Sequence, residues 1–243
     1  MAKDVPGTLA KVHAWGVKYV ELAGTYNLTP EAFKSQLEAN GLTAVSGHFS
    51  FETYRDHPEQ VVKDAKTLGL KYAGCAWIPH GNPFDEKTCR EAAAVFNKAG
   101  ELLQKEGIHF FYHVHGYEFQ PFNNETLLDL LFKETNPKLV HYQMDIFWIV
   151  HPGQDPVKLL AKYPERWELM HLKDMKKSTP TGLLTGGTEV TNDAALGEGK
   201  IELPPILKAG AKNHIKYYFI EDESPVSETQ IPVSLKYLSE VKW

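Results

Sequence analysis

The chain has 243 residues, 42% of them hydrophobic and 23% charged, with a formal net charge of -5. That length supports a sizeable core, as one large α/β domain or two small ones. The mild acidity and the lack of a long basic run argue against nucleic acid and anionic membrane as partners, and no apolar stretch approaches transmembrane length.

The chain opens on an amphipathic helix over 4–15 rather than a signal peptide. One pattern then recurs: a helical segment ends in glycine and an apolar strand follows at once. It occurs as HAWG-VKYVELA (strand near 17–23), EANG-LTAVSGHF (42–49), KTLG-LKYAGCAWI (70–78) and QKEG-IHFFYHVH (108–115). Glycine takes the left-handed conformation that closes a helix, and β-branched or aromatic residues then favour a strand. Within the first helix–strand unit, Thr29 is placed to cap a helix whose first position is Pro30. Three further strands are expected at 139–148 (LVHYQMDIFW), 168–174 (ELMHLKD) and 216–222 (KYYFIED). The polar, glycine-rich stretch 176–200 reads as a long loop over the strand ends. Cys75 and Cys89 lack metal-type spacing, and no disulfide framework is expected.

Alternating strands and helices imply parallel strands with right-handed crossovers, hence a single α/β domain of TIM-type (β/α) barrel architecture over 1–243. Seven of the eight strands are recognisable. The first is missing, because the chain begins on a helix where a barrel should show a strand. A seven-strand sheet leaves open edges, which favour a homodimer or a plugging segment.

In such barrels the active site lies at the C-terminal ends of the strands. Those ends carry Glu21, His48, the stretch 77–80, His113 and His115, Asp145, His171 with Lys173, and Glu221. A lone buried histidine or an exposed glutamate is usually structural, and His80 and His109 are read so. Asp145, His171 and Glu221 on three separate strands form a set instead. Oxygen and imidazole donors suit a divalent ion of the manganese, cobalt or zinc kind, with magnesium also accommodated. His113 and His115, two apart on a strand, share a face if the strand is regular, so one would be a fourth ligand and the other would orient substrate. Glu118 follows within reach of the rim.

SGHF at 46–49, YHVHGYEF at 112–119, MDIFW at 144–148, HLKD at 171–174, LGEGKIEL at 196–203 and YFIEDE at 218–223 resemble, in order, the xylose isomerase-like TIM-barrel superfamily of sugar isomerases and epimerases, in its branch with a YHxH strand. The resemblance implies metal ligation by Asp145, His171 and Glu221, with His113 where many relatives carry a glutamate. It implies that His48 and Lys173 contact substrate hydroxyls and that Trp148 offers a flat face to a sugar; Glu21 and His115 complete the expected substrate-binding set. Glu221 would act as acid or base, with Glu118 or a histidine such as His113 as its partner. The expected chemistry is proton abstraction beside a carbonyl through a metal-stabilised enediolate, ending in epimerisation, isomerisation or elimination. The alternative is a truncated, catalytically impaired barrel that keeps metal or sugar binding. DNA cleavage, also known in the superfamily, would need a basic face that this chain lacks. As it stands the chain is expected to be cytoplasmic, and any export signal would lie upstream of the missing strand.

Overall fold

The computed structural model describes residues 4–243; the first three residues of the expected domain lie outside the described residues. Helix α1 (Val5–Ala14) starts where the Asp4 carboxylate accepts the Gly7 N–H at 2.9 Å. Helix α2 (Pro30–Ala39) starts where Thr29 Oγ1 accepts from the Ala32 N–H at 3.2 Å, with Pro30 in the first turn. The four glycines expected to end helices, Gly16, Gly41, Gly69 and Gly107, all have positive φ, between 65° and 81°.

Seven strands follow: β1 (Tyr19–Leu22), β2 (Thr43–Phe49), β3 (Tyr72–Cys75), β4 (His109–His113), β5 (Val140–Asp145), β6 (Trp167–Leu172) and β7 (Tyr217–Ile220). They are parallel, alternate with helices and are hydrogen-bonded in chain order, which is the topology of a (β/α) barrel. Among the described residues β1 and β7 end that order.

Two compact units are distinguishable. The first holds the chain up to Pro79 with Glu91–Tyr112 and Lys138–Val140. In it β1, β2, β3 and β4 pair in parallel. Gly74 in β3 leaves room for its neighbour on β4, since a Cβ there would come within 2.2 Å of the Phe111 ring. The second unit holds His80–Arg90, His113–Pro137 and His141–Trp243. Its register sets Asp145 of β5 beside His171 of β6, and His171 beside Phe219 of β7. Behind these strands Phe132, Tyr142, Tyr163 and Trp167 form an aromatic cluster, with the Arg166 guanidinium 5.0 Å from the Phe132 ring centroid.

The structure corrects the expected strand over 139–148. β5 stops at Asp145, and helix α3 (Ile146–Val150) begins there. The Asp145 side chain caps this helix, accepting the Phe147 N–H at 2.8 Å and the Trp148 N–H at 3.4 Å. A short apolar run does not distinguish strand from buried helix, so the cap decides. β4 likewise ends at His113, so His115 lies in the irregular segment that follows, and β7 ends one residue before Glu221.

Candidate metal centre

On β5, Gln143 and Asp145 share one face by the alternation of a strand, and both are fully buried. Oδ1 of Asp145 is committed to the cap of α3. Oδ2 has no hydrogen-bond partner, although it is sealed from solvent. Glu221 follows β7 and is held by its N–H, which donates to the Leu172 carbonyl at 3.1 Å. Its Oε2 is hydrogen-bonded to His171 Nδ1. Donor atoms of Asp145, His171 and Glu221 lie within 4.8 Å of one another.

His113, at the end of β4, adds a fourth group. Its Nδ1 lies 2.6 Å from Gln143 Oε1, and its Nε2 lies 3.8 Å from Asp145 Oδ2. An amide oxygen only accepts, so Nδ1 carries the hydrogen and Nε2 presents a lone pair. In that tautomer an imidazole nitrogen with a lone pair lies 3.8 Å from a buried carboxylate oxygen that has no hydrogen-bond partner. In the metal-free protein a proton on Asp145 can relieve that approach, and a bound cation would relieve it with the carboxyl ionised. Two donors 3.8 Å apart are within the span of an ion with ligand bonds of roughly 2.1 Å. The residues thus fit a divalent ion, with Asp145, His171, Glu221 and His113 as the candidate ligands.

The electrostatics agree. Burial, reinforced by the Glu221 charge, pushes the Asp145 carboxyl up to about 7. Burial also opposes ionisation of Glu221, but His171, through charge and hydrogen bond, and Lys173 hold its carboxyl well below the usual carboxylate range. The Lys173 ammonium is almost fully buried. Burial disfavours its charge, yet Glu221, Asp145, Asp193 and Glu223 together hold it protonated, above its ordinary value. Its Nζ lies 3.5 Å from Glu221 Oε1 and 3.8 Å from Asp193 Oδ2, and is bonded to Glu223.

The remaining sequence-derived candidates are placed as follows. The rings of His113 and His115 approach to 4.6 Å although the strand ends between them, and His115 lies 5.7 Å from Trp148 at 35°. Trp148 presents its face to Lys173, with Nζ 5.9 Å from the ring centroid. Glu118 is fully buried, and its Oε1 accepts the His115 N–H at 3.0 Å. Burial, with the Glu118 charge adding to it, pushes the Cys89 thiol up to about 12. Glu21 and His48 belong to the first unit, where they form a pair at 3.2 Å, and Ser46 Oγ donates to Glu21 at 2.6 Å. In that unit His48 also lines a cavity of about 200 Å³ together with Leu22, Thr25, Gly47 and Phe49.

Sequence reasoning missed Gln143, Asp193 and Glu223. Asp193 sits in the long loop, where only its pairing shows its importance. Its Oδ2 accepts the Glu223 N–H at 2.8 Å, and burial raises its carboxyl to about 6. The HLKD and GEG motifs also meet. Asp174 accepts the N–H groups of Met175, Gly197, Gly199 and Ile201 at 2.7–3.1 Å, so one buried carboxylate ties the start of the loop to its end.

Residues 9–240 match the Xylose isomerase-like TIM barrel family. The chain is 30% identical to an inosose dehydratase from Clostridium botulinum, over 87% of this chain and 80% of that protein. An inosose dehydratase from Geobacillus kaustophilus is 27% identical over 72% of this chain, and there the chain spans about half, 55%, of the relative's length. A sugar phosphate isomerase/epimerase from Parabacteroides distasonis superposes with a TM-score of 0.79 at 26% identity, covering 98% of this chain and 92% of that one. The IOLI protein, solved with a bound zinc atom, has the same fold, with a TM-score of 0.72 at 14% identity over 97% and 91% of the two chains. Among the described residues, no helix is long and apolar enough to cross a membrane. With its family match running almost end to end and its seven parallel strands in barrel order, the chain belongs to the xylose isomerase-like TIM barrel family.

Proposed function

We propose that the protein is a metal-dependent enzyme that removes a proton beside the carbonyl of a keto-sugar or cyclitol ketone, with loss of water as the outcome. The observation that carries this reading is the buried Asp145 Oδ2, which has no hydrogen-bond partner and lies 3.8 Å from His113 Nε2, beside His171 and Glu221. The likeness to inosose dehydratases and to a zinc-bearing barrel supports the chemistry and the choice of ion. Bound there, a divalent cation supplies charge that polarises a substrate carbonyl and acidifies the adjoining C–H.

The chain's own groups do the rest. Glu221, kept ionised by His171 and Lys173, accepts the proton from carbon. Electrons of the broken C–H bond form the C=C bond as the hydroxyl on the next carbon departs. Lys173, 3.5 Å from Glu221 Oε1, is placed to give that hydroxyl the proton with which it leaves as water. His115 and Trp148 form the wall against which a ring lies, and Glu118 holds the His115 backbone rather than serving as a second base. Four carboxylates, Asp145, Glu221, Asp193 and Glu223, surround a single ammonium, so an uncharged polyol ketone suits this group better than a phosphate ester.

The test is incubation of the zinc- or manganese-loaded protein with an inosose in deuterated water, followed by NMR and mass spectrometry. The proposal expects a dehydrated product, lost after chelation and in Glu221→Gln. Deuterium uptake without water loss would favour epimerisation or isomerisation. A loaded protein that binds the ketone but exchanges no proton would favour a binding barrel.

A further inference from the structure

Gln143 has no place in the chemistry described so far, yet it is fully buried beside the candidate ligands. Burying an amide is costly unless its polar atoms are used. Its Oε1 lies 2.6 Å from His113 Nδ1, and its own backbone carbonyl accepts the Val114 N–H at 3.2 Å. The side chain and main chain of one residue thus fix both the ring and the peptide at the end of β4.

A neutral imidazole has one hydrogen to place. With the hydrogen on Nε2, the ring would aim an N–H toward Asp145 Oδ2 and close the gap with a proton. With the hydrogen on Nδ1, Nε2 carries the lone pair that a metal ligand needs. From this geometry we infer that Gln143 is the positioning residue that selects the Nδ1–H tautomer of His113 and so makes Nε2 a metal ligand. The inference rests on the metal reading above and deepens it. Outer partners of this kind orient a ligating histidine, and their loss typically weakens metal binding roughly 10–100-fold. Gln143 itself touches neither metal nor substrate.

The experiment compares wild type, Gln143→Leu and Gln143→Glu as full chains. Zinc affinity is measured by competition with a chelator, and the His113 tautomer by nitrogen-15 NMR of the metal-free proteins. Leucine keeps much of the volume and removes the acceptor; glutamate keeps an acceptor oxygen. Zinc binding is expected to fall roughly 10–100-fold in Gln143→Leu with loss of the Nδ1–H signature, and Gln143→Glu should restore both. Wild-type affinity in a folded Gln143→Leu overturns the inference while leaving the metal reading intact. A roughly 10–100-fold loss of affinity in a folded Gln143→Glu that keeps the Nδ1–H signature overturns it also, and decides the matter if the leucine variant does not fold. Failure of wild type to bind zinc, with the tautomer still Nδ1–H, overturns the metal reading and the ligand role together.

Discussion

Replacing Asp145 by asparagine should make the metal-free protein more stable and abolish its response to metal. The wild-type carboxylate is fully buried, its Oδ2 has no hydrogen-bond partner, and burial with the Glu221 charge raises it from 3.8 to about 7. Between those two values the native state holds a proton that the unfolded chain has released. Stability therefore falls as pH rises across the interval and levels off above it. The full difference corresponds to ~4 kcal/mol, which sharing of charge with Lys173 and Glu221 reduces to ~2–4 kcal/mol. Asparagine retains an oxygen to cap α3 and carries no charge, so it should gain most of this at about pH 8 and little near pH 4. For a chain of this size each kcal/mol moves the midpoint by roughly 2–4 °C, giving a rise of about 4–16 °C. Zinc at a hundred times its Kd should add about 2.7 kcal/mol to wild type and nothing to the variant. Urea denaturation in chelator and in zinc, at both pH values, reads all four terms. A variant less stable than wild type in chelator near pH 8 would rule out a buried unpaired charge at Asp145, and one that gains equally from zinc would rule out Asp145 as a ligand.

Lys173→Met should be strongly destabilising in the metal-free protein, by about 3–5 kcal/mol, because it leaves Glu221, Asp193 and Glu223 without their shared cation; denaturant titration measures it, and added zinc should recover part of the loss. Asp129→Ala removes the reciprocal cap of the helix Leu127–Glu134 and the bonds from Lys162 and Tyr163. With the half-exposed lysine discounted, the cost is about 3 kcal/mol. Asp129 resists burial through those bonds, which hold its carboxyl below its ordinary value. Its contribution is therefore present above about pH 4 and lost as pH falls through the depressed value, so the gap from wild type should shrink in acid. Gly199→Ala puts a Cβ 2.2 Å from Asp174 Oδ1 and 2.4 Å from the Met175 carbonyl. It should cost roughly 1–3 kcal/mol and speed amide exchange at Gly197 and Ile201 without changing zinc affinity.

Much of this was legible in the residue order. Four helix-ending glycines announced the strands after them, and carboxylates at the ends of otherwise apolar strands marked Asp145 and Glu221, because a charge persists there only if something meets it. The helix over 146–150 was not legible, since Ile146–Val150 is as apolar as a buried strand and only the cap from Asp145 breaks the run. Gln143 and Asp193 were silent for another reason. Their importance lies in a partner distant in sequence, His113 for one and Lys173 with Glu223 for the other. Glu118 showed a carboxylate near the rim, but neither its bond to the His115 N–H nor its effect on the Cys89 thiol has any local signature.

Asp145, His171, Glu221 and His113 are proposed to hold one divalent cation. Anomalous diffraction at the zinc edge from crystals of the zinc-loaded protein tests this most directly. The account requires a single strong peak enclosed by those four side chains, and its loss in Asp145→Ala. A peak elsewhere, or none at full loading, would contradict it.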